Sequence, residues 1–380
     1  MNVGPGSGPR QRPVNADWLQ ERVVRLGRET LDVIGESRLV AETTRTTRSQ
    51  PGYPSLGAAA FLAWAALEDE NDPGAALAAE IVTRYMAEAP VLRLPRPAYR
   101  LGLRLPHRLR AMWLPGAAIS AGATLGWVIL ALDGKVSDAL RRQMSRSLTR
   151  CYDDVRRISQ LGFYINGNYQ VALCELAYLY ALVNGSDAGH EEYERCLAFL
   201  CNPEHTNPRW RGHGFQLVQI PARPDWHDAI GYFSEVEGAN SPEAGAFDAE
   251  YVQLQLDYLL RLWLLTRDHR ILRLSNALIN SILPLADQTT WLIDCRGGSR
   301  RNNVNPFWNA GLATLALHDP RPEFTMDMVE SQFTVAIEHE YSRRAEDGDI
   351  HPYCLRGYGL TLLGILVASS AILFDRTQRS

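Results

Sequence analysis

Between Arg223 and Arg261 the chain holds eight acidic residues (Asp225, Asp228, Glu235, Glu237, Glu243, Asp248, Glu250 and Asp257) and no lysine or arginine. Carboxylates crowded together without cations raise one another's pKa, so an acid and a base can coexist near neutral pH. The same stretch carries Trp226, His227 and Tyr232. An imidazole and a phenol are proton carriers, and an indole is a stacking face. The ordinary alternative is a solvated acidic loop with Asp248 as a helix N-cap. The mixture of residue types favours chemistry for the segment as a whole. His227, Asp228, Tyr232, Glu235 and Asp248 are its catalytic candidates, with Trp226 and Glu237 as substrate contacts.

Two further segments add polar groups. Asp248, Tyr251 and Gln255 fall at i, i+3 and i+7, which places them on one helix face suited to a wet cavity. The alternative there is a surface helix end, with Asp257 and Arg261 as an i,i+4 pair. Upstream, Asn166-Gly167-Asn168-Tyr169 opens an otherwise apolar helix, and Asn168 and Glu175 lie seven residues apart on one face. A buried Asn or Glu is costly without partners, so these side chains either bond a neighbouring loop or face a ligand. An Asn amide can hold a carboxylate or a sugar hydroxyl, and Tyr169 can stack or pass a proton. Downstream, Gly297-Gly298 makes a turn ringed by Arg296, Arg300 and Arg301. Bidentate arginine suits a uronate carboxylate or a phosphate. It equally suits the acids just named.

The elements that must position these residues read as helical hairpins. Apolar helices end at short acidic or Gly-containing turns, and a second helix follows each. The expected hairpins are Ala59–Met86, Leu125–Leu148, Leu176–Leu200, Leu259–Leu283 and Gly311–Phe333. Asp or Ser before a helix signals an N-cap, and Asp-Gly or Asn-Gly signals a reversal. With helices near 17–34 and 355–374 the count is about twelve, the number in six hairpins arranged as a ring. Phe215–Ile220 and Trp291–Cys295 alternate weakly and are expected as short strands. Long inserts at 88–115, 202–244 and 287–306 are where function sits on such a scaffold. There is no βαβ alternation, no GxGxxG and no P-loop. The expectation is one all-α catalytic domain over 16–380, preceded by a tail over 1–15.

Composition bounds the partners. The net charge of −4 does not favour nucleic acid. Of 39 basic residues only Lys135 is a lysine, so nearly every cation is a planar guanidinium. Six cysteines show no CxxC pair and no zinc spacing, so neither a metal nor a cofactor is expected. Cys174 and Cys196 read as core thiols. Met1–Val14 has no apolar stretch of the export-signal kind, and a cytoplasmic protein is the expectation. Two uncharged runs, Ala111–Leu132 and Gly357–Phe374, are long enough to raise a membrane span, but inner helices of an all-α core explain them better. The arginine-rich residues 93–110 suggest peripheral membrane contact.

Asn166-Gly167-Asn168-Tyr169, a Gly-Tyr-Phe-Ser-Glu loop at 231–235, Phe-Asp-Ala-Glu-Tyr at 247–251 and Thr-Arg-Asp at 266–268 together resemble α/α-toroid enzymes acting on carbohydrates. These include heparinase-like and alginate-type lyases and several glycoside hydrolases. The resemblance implies an (α/α)6 toroid and a saccharide substrate. For β-elimination beside a uronate, Asn168 with Arg296 or Arg300 would neutralise the carboxylate, and His227 or Tyr232 would move the proton. Asn166, Tyr169, Glu175, Trp226, Glu237 and Tyr251 would complete the substrate contacts. A hydrolase would instead draw two carboxylates from Asp228, Glu235, Glu237 and Asp248. A terpenoid-type cyclase or isomerase with an aromatic-lined cavity is the remaining alternative.

Overall fold

The computed structural model describes residues 53–67, 72–88, 115–159, 167–201, 215–234 and 247–287, the short segments 292–294 and 304–306, and scattered residues within 17–28 and 46–51. The described chain is mostly helical, as an all-α reading expects. Its helices are α1 (Tyr53–Ala65), α2 (Gly74–Glu88), α3 (Pro115–Ala131), α4 (Asp138–Ser159), α5 (Gly167–Asn184), α6 (Asp187–Cys201), α7 (Ala249–Thr266) and α8 (His269–Ile282). Three two-stranded antiparallel ladders accompany them: β1 (Thr46–Thr47) with β2 (Gln50–Pro51), β3 (Phe215–Gln219) with β4 (Ile230–Phe233), and β5 (Leu292–Asp294) with β6 (Val304–Pro306).

The helices pair as hairpins at four of the five expected places. The fifth expected hairpin, 311–333, and the closing helix near 355–374 lie outside the described residues. Each return helix begins at a side-chain cap within its turn. Asp72 Oδ1 accepts from Gly74 N (2.7 Å), and Asp268 Oδ1 accepts from Arg270 N (2.8 Å). Ser137 Oγ accepts from Leu140 N, and Ser186 Oγ from Gly189 N, both at 3.3 Å. These caps satisfy amides that the first helical turn leaves without partners. Gly134 (φ 75°) and Gly185 (φ 60°) supply the left-handed residue that lets two of the turns reverse without a Cβ clash.

Two kinds of helix result. The first member of each hairpin is buried nearly all round, as in α1 and just beyond it, where residues 56–66 are all buried. The second member is amphipathic. In α4 the buried residues Met144, Leu148, Cys151, Tyr152 and Val155 recur at helical spacing on one stripe. The nearly all-buried helices α1, α3, α5 and α7 pack side by side as an inner layer, and α2, α4, α6 and α8 cover it. Trp64, late in α1, donates Nε1–H to the Trp127 carbonyl, late in α3 (3.2 Å). Gly122 and Gly126 of α3 abut Leu176 and Leu179 of α5 so closely that a Cβ at either would collide. Gly122 meets Leu176 and Gly126 meets Leu179, so α3 and α5 run parallel, and Gly167 meets Gln255 as Glu175 meets Arg261, so α5 and α7 do too. The same close approach explains the Gly- and Ala-rich run over 111–132. Among the described residues no helix is long and apolar enough to cross a membrane.

One polar line crosses this inner layer. Trp127 of α3 donates Nε1–H to Glu175 Oε1 of α5 (2.9 Å). Arg261 of α7 donates to both Glu175 oxygens (2.8 and 3.0 Å) and also to Asp257. Glu175 is 0%, Arg261 1% and Asp257 5% exposed. With Trp64, the line takes at least one residue from each of the four inner helices. Directional bonds of this kind fix how parallel helices slide past one another, where apolar packing alone is permissive.

Candidate functional site

The start of α5 and the second turn of α7 meet the chain where β4 ends and just after it. Gly167 N, the first amide of α5, donates to the Ser234 carbonyl (3.0 Å). Gln255 Nε2 of α7 donates to the neighbouring Phe233 carbonyl (3.1 Å). A Cβ at residue 167 would lie 2.3 Å from the Phe233 Cβ and 3.1 Å from Gln255 Nε2, so only glycine allows this approach. Asn168 and Gln255 are buried and Tyr169 is half-buried.

Asp248 sits at the start of α7, 1% exposed, and its Oδ1 accepts from Tyr251 N (3.3 Å). It is the N-cap that its position before an apolar run predicted. Tyr232, two residues before Ser234, sets its ring edge-on against Phe247 at 5.2 Å. These contacts tie the start of α5 and the first two turns of α7 to β4 and the residue after it, the elements that carry Asn168, Tyr169, Tyr232, Asp248 and Tyr251. Neither Ser234 nor the role of Gln255 in tying β4 to α7 was legible in the sequence. The first depends on a bond back to Gly167 of α5, the second on a bond to a helix 22 residues further on.

The β3–β4 hairpin that delivers Tyr232 lies along the C-terminal half of α8. Asn276 Nδ2 donates to the Asp225 carbonyl (3.0 Å), and Asn280 Nδ2 to the carbonyls of His227 (2.9 Å) and Ala229 (2.7 Å). Ser281 Oγ donates to the Gly231 carbonyl (2.6 Å). Within the turn, Asp228 accepts from the Ala222 and Arg223 amides and Asp225 accepts from the His227 amide. The Ala222 N–H above all holds the Asp228 carboxyl below the usual carboxylate range. The His227 N–H does the same for Asp225, helped by the Arg223 charge. Trp226 takes a left-handed backbone (φ 60°) and packs its ring 6.0 Å from that of Phe215. A non-glycine residue there is strained and is held by its packing. His227 and Asp228 therefore sit in a tightly bonded turn at the opposite end of β4 from the α5–α7 junction.

Glu175 belongs to the inner-layer ion cluster, two helical turns below Asn168. The expected Asp257–Arg261 pair forms, but in the core rather than at a surface helix end. Burial pushes the Arg261 guanidinium down, and Asp257 and Glu175 outweigh it, so the group is held above its ordinary value. The described cysteines are all free. Burial pushes Cys151 and Cys196 up to about 12 and Cys201 up to about 11. Among the described residues no group of three His, Cys, Asp or Glu side chains could hold a metal ion. Asn166, Glu235, Glu237, Arg296, Arg300 and the 93–110 segment lie outside the described residues.

Set against models of known protein families, against curated proteins and against solved structures, the chain matches none.

Proposed function

We propose that the chain is a carbohydrate-active enzyme, built as an (α/α)6-type toroid, that cleaves a uronate-containing saccharide by β-elimination. One observation supports the reading: α5, α7 and β4, which carry Asn168, Tyr169, Tyr232, Asp248 and Tyr251, are tied together near where the two helices begin. It is a polar junction in a mostly apolar layer. Its groups are an amide, phenols and an N-capping carboxylate, which suit a hydroxyl-rich ligand with one negative charge. The four hairpins fit the toroid as successive members of a ring.

In the proposed reaction the C5 proton of the uronate leaves and the C4–O bond breaks. A C4=C5 double bond forms, and the proton ends on the departing oxygen. Asn168 and the first-turn amides of α5 stabilise the charge that gathers on the carboxylate as C5 loses its proton. Tyr232 in its phenolate form accepts that proton, Tyr251 on the neighbouring helix gives its own proton to the leaving oxygen, and a proton passed from Tyr232 to Tyr251 through solvent restores both. The arginines at 296 and 300 are the proposed cations for the same carboxylate.

Hydrolysis needs two carboxylates across a cleft. Asp248 already caps α7 and Asp228 already caps its own turn, which favours elimination. The test is Tyr232→Phe together with Asn168→Ala. Both should keep the fold and lose formation of unsaturated product. Full activity in Tyr232→Phe removes the proton role assigned to it.

A further inference from the structure

We infer that Asn184 is a site of spontaneous covalent modification, which the folded protein converts to aspartate and isoaspartate through the backbone nitrogen of Gly185.

The sequence holds two Asn-Gly pairs, Asn166-Gly167 and Asn184-Gly185. In such a pair the glycine nitrogen can attack the asparagine Cγ, because no side chain shields it. The N–Cγ bond forms and the Cγ–Nδ2 bond breaks. Nδ2 leaves as ammonia, taking the proton of the glycine N–H. Water then opens the resulting succinimide at either carbonyl. One opening leaves aspartate in an ordinary peptide, and the other leaves isoaspartate, with the chain running through the side-chain carbon. Water is the one reagent consumed.

The fold treats the two pairs differently. Gly167 is buried, its nitrogen donates to the Ser234 carbonyl (3.0 Å), and a Cβ there would lie 2.3 Å from that of Phe233. That nitrogen is already bonded, and the packing leaves no room for a ring. Asn184 and Gly185 are exposed at the C-terminal end of α5. Gly185 has φ 60°, and a Cβ on it would meet nothing within 4 Å, so a ring has space. The restraint there is on the Asn184 carboxamide. Ser145 Oγ of α4 donates to its Oδ1 (2.5 Å), and its Nδ2 donates to the Tyr180 carbonyl (3.1 Å), both at the surface. Exposed bonds at a helix end open at far lower cost than the whole fold. The reaction therefore runs from a frayed end of α5, and Ser145 limits its rate. Conversion also weakens this corner. An oxygen replaces the Nδ2 that donates to the Tyr180 carbonyl, and a negative charge arrives at the negative end of α5.

The experiment holds wild type and Ser145→Ala at mildly alkaline pH, native and in urea, and follows both pairs by peptide mass spectrometry with isoaspartyl peptides resolved by chromatography. In urea the two pairs should convert at similar rates. In native wild type Asn184 should convert several times faster than Asn166. Ser145→Ala should speed Asn184 about fivefold, the usual worth of one hydrogen bond, and leave Asn166 unchanged. Equal native rates at the two pairs overturn the inference, because they mark global unfolding as the route. An Asn184 that stays intact in both native proteins while the urea samples convert fully overturns it too. An Asn184 rate unchanged in Ser145→Ala, or raised equally at both pairs, removes the restraint assigned to Ser145. Asn184→Asp should lower the Tm, and a Tm at or above that of wild type overturns the weakening.

Discussion

Replacing Arg261 with methionine removes the one cation from a cluster that holds two carboxylates. Arg261, Glu175 and Asp257 are 1%, 0% and 5% exposed, so water cannot stand in for the missing guanidinium. Three bonds disappear, two to Glu175 and one to Asp257. Breaking a buried ion pair by deleting one partner costs about 3–5 kcal/mol, and here two acids are stranded, so the upper end applies. That is a large fraction of the about 5–15 kcal/mol that holds a typical protein together. Glu175→Gln is the control. The amide oxygen can still accept from Trp127 Nε1, and Arg261 keeps Asp257. Its cost should stay within the about 1.5–3 kcal/mol of a charge-assisted hydrogen bond. Urea unfolding followed by circular dichroism, at neutral and mildly acid pH, reads both variants. The gap between Arg261→Met and wild type should narrow as pH falls, because protons can neutralise what the guanidinium no longer does. Arg261→Met within about 1 kcal/mol of wild type, or Glu175→Gln as damaging as Arg261→Met, refutes the reasoning.

Gly167→Ala places a Cβ 2.3 Å from the Phe233 Cβ, so α5 and β4 must separate. The expected cost is about 1–3 kcal/mol, read as a lower Tm. Asp268 accepts from the Arg270 amide and side chain. Burial pushes its carboxyl up, but the Arg270 bonds outweigh this and hold it below the ordinary value. Its stabilisation is therefore present above the carboxylate range and fades as pH falls through its folded-state value. Asp268→Ala should cost about 0.5–2 kcal/mol at neutral pH, with the difference from wild type vanishing in acid, as denaturation at several pH values would show. Burial keeps Cys151, Cys174 and Cys196 protonated. Iodoacetamide at mildly alkaline pH should leave these three unmodified in the native protein and label them in urea, by peptide mass spectrometry. Rapid native labelling contradicts their placement.

What was legible in the sequence was local. Asp133-Gly134 and Asn184-Gly185 announced their turns, because a left-handed residue there all but requires glycine or asparagine. Phe215–Ile220 and Trp291–Cys295 announced strands of nearly the observed extent. Asp248 announced an N-cap. The inner-layer cluster was half legible. Asp257 and Arg261 showed themselves as an i,i+4 pair, and Glu175 showed itself as a costly polar residue on an apolar helix. That Arg261 and Glu175 belong together was hidden, because 86 residues separate them and helical periodicity says nothing of which helices are neighbours. The acidic loop was read too evenly for a similar reason. His227 and Tyr232 look equivalent in a string, yet β4 carries one to the α5–α7 junction and leaves the other at the hairpin turn. Ser234 gave no signal at all, since serine after a strand is unremarkable until its surroundings are known.

The central claim is that the junction of α5, α7 and β4 catalyses elimination on a uronate. The most direct measurement follows unsaturated product by ultraviolet absorbance, alongside new reducing ends, for wild type and Tyr232→Phe on a panel of uronate polysaccharides. The account predicts one double bond per new reducing end in wild type and neither product in a folded Tyr232→Phe. Reducing ends without unsaturation, or undiminished cleavage by Tyr232→Phe, would contradict it.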